Sequence, residues 1–383
     1  MINTTMRKKR RTLDMAKEKV AKEPLFHIVK RDKMPMWQGL LIRAGAIAAA
    51  LVLCLLFSFI VVGVTPDVLI SSFFKGNFGS ERRIFILLKD ISVLLLIALA
   101  LTPAFRMRFW NIGAEGQVLV GALAAVSCAY YLGGKINEIL LLALMFVAAI
   151  VAGAVWGFIP ALFKAIWNAN ETLFTLMMNY IATCLVSYML AAQFASASNS
   201  LPELKFGHLN FIPSWSYGDE VTVVIFAVVI TVMMYIYLRY SKHGYEISVV
   251  GESENTARYI GISVKKVVIR TMIISGALCG LVGFLIVAVF DHSITTNTAG
   301  GQGFTAIMVS WLGKFNPFIM SGVAFIISFL NNGADQLVTS LSSKGISPDL
   351  PDVIVGTILF FIVGCEFFIN YSIKFRTAKG GNK

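Results

Sequence analysis

Charge is what this chain has least of. Only 14% of its 383 residues are Asp, Glu, Lys or Arg, where soluble globular domains carry about a quarter. With 57% hydrophobic residues beside that deficit, an ordinary soluble domain is excluded. Histidine is scarce too: there are four, none clustered with another, and no metal-binding helix motif can be written from them. No Gly-x-x-x-x-Gly-Lys-Ser/Thr loop occurs anywhere, so the chain has no ordinary cradle for ATP phosphates. A catalytic triad and a pair of carboxylates on one predicted face are missing as well. The five cysteines, Cys54, Cys128, Cys184, Cys279 and Cys365, all lie inside apolar runs. They read as small packing residues rather than a disulfide framework.

What is present is a series of long apolar segments. A hydrocarbon core about 30 Å thick needs roughly 20 apolar residues in a helix. Segments near 40–64, 86–105, 112–132, 139–163, 172–194, 221–238, 268–290 and 352–373 meet or approach that length. Region 301–330, split by Gly313, Lys314, Asn316 and Pro317, reads as two short spans or a re-entrant pair. Lipid offers the backbone no hydrogen-bond partners, so runs without strict alternation must be helices. The expectation is an all-α polytopic membrane protein of about 8–10 transmembrane helices. A basic tail occupies 1–38, with room for one short helix; the transmembrane domain occupies 39–373 and a second tail 374–383. The opening segment is too long and too polar before its first apolar run to be a cleavable signal peptide.

Net charge is +12, and its placement gives orientation. Eleven basic residues fall in the first 33 positions, including Arg7, Lys8, Lys9, Arg10 and Arg11. Assigning loops alternately puts 26 of the 33 Lys and Arg on the side of the N-terminus and 6 on the other. Both termini are therefore expected in the cytoplasm. The same placement favours attraction to anionic lipid over nucleic-acid binding. Loop 195–220 falls outside, and loop 239–267 falls inside with most of the non-terminal positive charge.

Several polar residues stand out against this background. Asn111, Gly113, Glu115, Gly116 and Gln117 open one span. A carboxylate there costs a few kcal/mol unless it is paired or hydrated. Glu115 is expected to face protein or a water-filled cavity, with Arg106 or Arg108 as partner; the alternative is an ordinary helix-end charge at headgroup depth. Gly300, Gly301 and Gly303 open another span in the second half, a weak pointer to a transport pathway. Asn170 and Glu171 start a span, where capping and dipole complementarity are the plain reading. Asn179, deeper in the same span, is expected either to line the pathway or to bridge helices. Gly276, Gly280 and Gly283 suit close helix packing. Asp291-His292 reads as a hydrated helix end, and Trp110, Trp156, Trp167 and Trp215 as residues of an interfacial belt. In the inner loop Ser253 is a candidate N-cap, Glu254 and Arg258 can pair across one turn, and Gly261 can end the helix left-handed.

Four ordered stretches carry a resemblance. They are Asn111-Ile112-Gly113-Ala114-Glu115-Gly116-Gln117; Asn170-Glu171 through Asn179-Tyr180; Gly251-Glu252 through Gly261-Ile262; and Ser275-Gly276 onward to Gly301-Gln302-Gly303-Phe304 and Gly313–Pro317. Together they cover roughly 85–330 and resemble the ABC importer permeases for simple sugars, nucleosides and branched-chain amino acids. The second stretch is similar to the nucleoside branch. Met107-Arg108-Phe109-Trp110 and Lys314 depart from the usual pattern.

The resemblance implies a permease subunit, not an enzyme, in the bacterial cytoplasmic membrane. It implies a second permease subunit, a cytoplasmic ATPase carrying ATP and magnesium, and an extracytoplasmic solute-binding lipoprotein docking near 195–220. Asn111, Gly113, Glu115, Gly116, Gln117, Asn170, Glu171, Asn179, Gly301, Gly303 and Phe304 become candidates for the pathway. Glu252, Glu254, Ala257, Arg258 and Gly261 become candidates for coupling to the ATPase. No cofactor or metal is expected in the chain itself. Nucleosides lead the expected solutes, ahead of simple sugars and branched-chain amino acids. The rival from another class is an ion-driven secondary transporter, for which Glu115, Asp90 and Glu366 are the available carboxylates; a membrane enzyme comes third.

Overall fold

The computed structural model describes residues 26–30, 36–57, 59, 63, 65–194, 201, 204, 217–341 and 350–375. The chain divides into two units, one of residues 67–351 and one made of the segments before and after it. In the latter, β1 (Phe26–Lys30) precedes α1 (Met36–Phe57), and β2 (Tyr371–Phe375) follows α13 (Leu350–Asn370). The strands pair antiparallel, Phe26 opposite Phe375 and Lys30 opposite Tyr371. Segment 26–30, within the expected tail, is thus a strand, the rest of 1–35 lies outside the described residues, and the last span ends at Asn370 instead of 373. Alternating Phe26, Ile28 and Lys30 against a five-residue partner is too short a pattern to stand out in sequence.

The larger unit holds α2 (Pro66–Phe78), α3 (Glu81–Arg106), α4 (Ala114–Leu132), α5 (Glu138–Trp167), α6 (Glu171–Tyr188) and α7 (Gly218–Tyr240). It continues with α8 (Lys242–Glu252), α9 (Glu254–Tyr259), α10 (Val264–Leu285), α11 (Gln302–Leu312) and α12 (Pro317–Leu341). Wide π-turns, Met189–Gln193 and Ile286–Asp291, prolong α6 and α10. Helix starts follow side-chain caps: Asn137 accepts from the Ile139 N–H at 2.9 Å and Ser241 from that of Gly244 at 2.9 Å. Asn168, left-handed at φ 53°, stops α5.

Seven helices among the described residues are long and apolar enough to cross a membrane. This is the all-α polytopic fold the apolar runs called for. The core is built on α10, which packs against α5, α4 and α3. Leu96, Ile97, Ala98, Leu99, Ala100 and Leu101 of α3 are all essentially inaccessible, so this stretch of the helix is enclosed on every side. Close approach of α10 to α5 rests on glycine. A Cβ on Gly276 would overlap the Gly153 carbonyl, and one on Gly280 would overlap that of Ala149.

Region 301–330, expected to be two short spans or a re-entrant pair, is one short helix followed by one long helix. Helix α11 has 11 residues, a rise of about 16 Å, half the hydrocarbon thickness. Helix α12, with 25 residues, is a full span. The stretch before α11 starts beside the loop between α6 and α7, where Leu201 and Leu204 donate to the carbonyls of Ile294 and His292 at 3.0 and 2.8 Å. Helix α11 ends against Phe105, whose ring lies 6.3 Å from Trp311 and 6.4 Å from Phe315. One passage is therefore made of non-helical chain followed by half a helix. Irregular backbone at that depth is tolerated only where protein or a water-filled cavity satisfies it.

Candidate functional site

The half-helix is held at its start by Glu115. One carboxylate oxygen accepts from the Gly301 N–H at 2.8 Å, and the other from the Gly303 N–H at 2.8 Å. Gly301 has φ 72° and is the N-cap of α11, a backbone conformation that L side chains rarely adopt. At Gly303 a Cβ would come within 2.8 Å of the Glu115 Cα, so the two backbones meet directly. The carboxylate sits at the positive end of a helix and completes two otherwise open donors. This corrects the expectation of an arginine partner. The Arg106 guanidinium instead reaches toward the Leu238 carbonyl at 3.5 Å.

Glu115 is itself positioned by a polar collar at the start of α4. Asn111, fully buried, accepts from the Gly113 N–H at 2.9 Å and donates to Ser275 Oγ at 3.3 Å. Its amide faces that of Gln117 at 3.5 Å. Across on α6, Asn179 Oδ1 accepts from the Gly116 N–H at 2.9 Å, and its Nδ2 donates to the Ile112 carbonyl at 2.9 Å. The Ile112 N–H donates to Thr175 Oγ1 at 3.1 Å. The first turn of α4 is thereby tied to α6 through one side chain that both gives and receives.

Asn179 thus bridges α4 and α6. Asn179→Ala should leave a buried N–H and a buried carbonyl unpaired, costing about 2–4 kcal/mol. Asn179→Asp, which keeps the acceptor, should cost about half. Thermal unfolding of the detergent-solubilised chain measures both; equal midpoints for the parent and Ala variants would remove the bridging role.

Of the remaining pathway candidates, Asn170 and Glu171 stand apart from the collar. Asn170 caps α6, accepting from Thr172 and Leu173 N–H groups at 3.1 and 3.2 Å. Glu171 pairs with Lys164 at 2.8 Å. Both serve the helix end, as dipole complementarity suggested. Phe304 follows the Glu115-bound turn directly and is 42% exposed. Seven residues on, Trp311 shares its face of α11 and stacks on Trp110 with ring centroids 5.1 Å apart. The sequence reading missed Thr175, Ser275 and Trp311. Thr175 precedes Asn179 by four residues and so shares its helix face, which was the available signal.

Other expectations fare variously. Asp90 is engaged by Lys89 at 3.3 Å and Asn332 at 3.1 Å, while the Glu366 side chain lies outside the described residues. At the Asp291-His292 helix end, Asp291 is exposed as expected, while His292, left-handed at φ 46°, is buried. Trp156 lies in the middle of α5 rather than at its ends. Of loop 195–220 the described residues are 201, 204 and 217–220; besides the bonds of Leu201 and Leu204 to Ile294 and His292, Tyr217 stacks on Phe85 at 4.4 Å. Among the described residues no three His, Cys, Asp or Glu side chains gather to hold a metal ion.

The coupling candidates form a second, separate feature. Ser253 caps α9, accepting from the Thr256 N–H at 3.2 Å, and Arg258 pairs with Glu254 at 3.2 Å. Ala257 is buried against the neighbouring structure. Gly261, at φ 84°, ends the helix while the Ile262 N–H returns to the Ala257 carbonyl at 2.9 Å. Tyr259 is 93% exposed and Ile260 50%. Helix α8, ending at Glu252, was not foreseen. Its Glu246 is bonded by Arg270 at 2.7 Å, which holds that carboxyl below the usual carboxylate range. Gly251 lies directly on the Arg106 backbone, where any Cβ would overlap the carbonyl. The exposed helix thus connects, through α8, to the chain that leads into the Glu115 collar.

The family described as "Branched-chain amino acid transport system / permease component" matches residues 83–363. The chain is 29% identical over 317 residues to the guanosine ABC transporter permease protein NupP of Bacillus subtilis, covering 81% of this chain and 87% of that one. It is 28% identical to the glucose ABC transporter permease protein TsgB13 of Haloferax volcanii, over 76% of this chain and 78% of that one. The nucleoside ABC transporter permease protein NupB of Lactococcus lactis is 29% identical, over 76% and 81%.

Proposed function

The chain belongs to the permease components of the branched-chain amino acid transport family, and on that premise we propose that it lines a pathway for nucleosides, opened and shut by a separate ATPase. The observation that carries the reading is the half-helix α11, pinned at its start by Glu115 and presenting Phe304 and Trp311 on an open face. Aromatic faces suit a planar base, each such stack being worth about 1–3 kcal/mol. The names of two relatives speak for nucleosides and that of a third for glucose. Simple sugars are therefore the second reading, since sugar rings also pack on aromatic side chains.

Energy enters through α9 in this account. Closure of the ATPase moves the exposed helix; α8, resting on the Arg106 backbone, carries the movement to the collar and so to α11. A second permease subunit forms the other wall, and a solute-binding protein delivers from the opposite side. The basic tail and the Arg- and Lys-rich helix ends lie in the cytoplasm, and the bacterial cytoplasmic membrane is the setting.

Two measurements bear on this. A tagged chain should co-purify with an ATPase, and labelled adenosine uptake should be competed by other nucleosides but not by glucose or leucine. Competition by glucose alone moves the assignment to sugars; ion-driven uptake by the isolated chain overturns it. Gly261→Val, which forces a branched side chain into a left-handed backbone at about 1–2 kcal/mol, should lower uptake more than tenfold at unchanged membrane level. Gly261→Asn, which tolerates that conformation, should keep most of it. Normal uptake by the Val variant would count against transmission through α9.

A further inference from the structure

The exposed helix α9 is carried on two legs, α8 before it and α10 after it. Neither attachment is helical: Ser253 is extended at φ −160°, and Gly261 turns left-handed at φ 84°. A rod held by two such joints gives way when pushed, because its legs can splay. The legs must be braced if a movement of α9 is to arrive with its direction kept.

Glu246 of α8 and Arg270 of α10 form such a brace. Arg270 Nη2 donates to Glu246 Oε2 at 2.7 Å, across 24 positions of chain, and closes the two legs into a triangle with α9 as its base. The side chains are 16% and 30% exposed, so salt screens the pair less than it would a fully exposed one. Lys242 and His243 also act on Glu246, but both belong to α8 and cannot join it to another helix.

Each leg then reaches a different side of the collar. On α8, Gly251 lies on the Arg106 backbone with no room for a Cβ. On α10, Ser275 Oγ accepts from Asn111 at 3.3 Å. A contact between backbones resists compression but attracts only weakly when drawn apart. Hydrogen bonds and ion pairs resist separation as well. A push can therefore pass through Gly251, whereas a pull has to pass through α10 and its bond to Asn111.

We propose that Glu246 and Arg270 are a positioning pair that makes α8 and α10 move as one body, so that both sides of the collar follow α9 in either direction. This rests on the transmission route through α9 given above. The pair acts through the collar and not on the solute.

Proteoliposomes holding the complete transporter report adenosine imported and ATP hydrolysed on one preparation. Glu246→Gln and Arg270→Gln should each hydrolyse ATP yet import about tenfold less adenosine per ATP than the parent, a typical coupling between residues in contact. The double Gln variant should be no worse than either single one, since a broken brace cannot be broken twice. Exchanging the charges, Glu246→Arg with Arg270→Glu, should recover part of the ratio; if that protein does not fold, the Gln variants decide alone. An unchanged ratio in both single variants, or losses that multiply in the double one, overturns the brace. Lower protein yield at an unchanged ratio marks a pair that serves folding only and overturns it too. Gly261→Val separates this from the reading beneath it. Normal import by that variant removes the route through α9 and the brace with it, while lost import beside unaffected Gln variants removes the brace alone.

Discussion

Glu115→Ala is expected to give a chain that inserts into the membrane and imports no measurable solute. The carboxylate accepts two backbone N–H groups at 2.8 Å each, and hydrogen bonds to a charged group contribute about 1.5–3 kcal/mol apiece. Their loss, about 3–6 kcal/mol, falls almost entirely on the attachment of α11, because the long spans keep their own hydrogen bonds within each helix. Glu115→Gln retains one acceptor oxygen and turns a donor toward the second N–H, so it should be intermediate. Glu115→Asp keeps the charge on a shorter arm and should also fall between. Uptake at matched membrane levels ranks the four proteins, and amide exchange at Gly301 and Gly303 reports whether α11 has come loose. Full import by the Ala variant would mean that α11 is held by something else.

The second large effect is expected at the crossing of α10 and α5. Gly280→Leu places a side chain where the Ala149 carbonyl already stands, with the Gly153 Cα only 3.1 Å from the first added carbon. The obstacle is the backbone of α5, so no rotamer relieves it, and the helices must separate along the most extensive helix–helix contact of the bundle. A loss of about 4 kcal/mol or more places the variant among the severe ones, and the expected result is degraded or misassembled protein. Gly322→Ala provides the contrast. Nothing lies within 4 Å of its added carbon, and the exchange within α12 should stabilise by about 0.5–1 kcal/mol. Fluorescence-detected size exclusion of the two variants compares them directly; a monodisperse Gly280→Leu peak at parental yield would contradict the packing.

How much of this was legible in the sequence depends on where the physical constraint sits. The spans were readable because lipid forces every peptide group into a helix, which leaves runs of about 20 apolar residues. The break between α11 and α12 was readable from Gly313, Lys314, Asn316 and Pro317, and α9 from Ser253, Glu254, Arg258 and Gly261, since caps and i,i+4 pairs are local. Glu115 was conspicuous as a carboxylate in an apolar setting. Its partner was not, because the donors are backbone groups 186 and 188 positions away and every residue has such a group. The same holds for Gly251 against Arg106 and Gly280 against Ala149: the glycines could be noted, but the carbonyls they touch leave no mark. Asn179 shows the middle case. Its amide was conspicuous in an apolar span, but that it bridges helices follows only from the placement of α4 beside α6. The half-helix passage eluded a rule based on span length, since its first half is not helical.

The direct test of the central claim is import into proteoliposomes holding the purified transporter with this chain, its ATPase and its binding protein. Labelled nucleoside should accumulate only when ATP and magnesium are enclosed on the side of α9, and the Glu115→Ala complex should hydrolyse ATP without accumulating solute. Accumulation driven by an ion gradient in the absence of ATP, or undiminished accumulation by the Ala complex, would contradict the account.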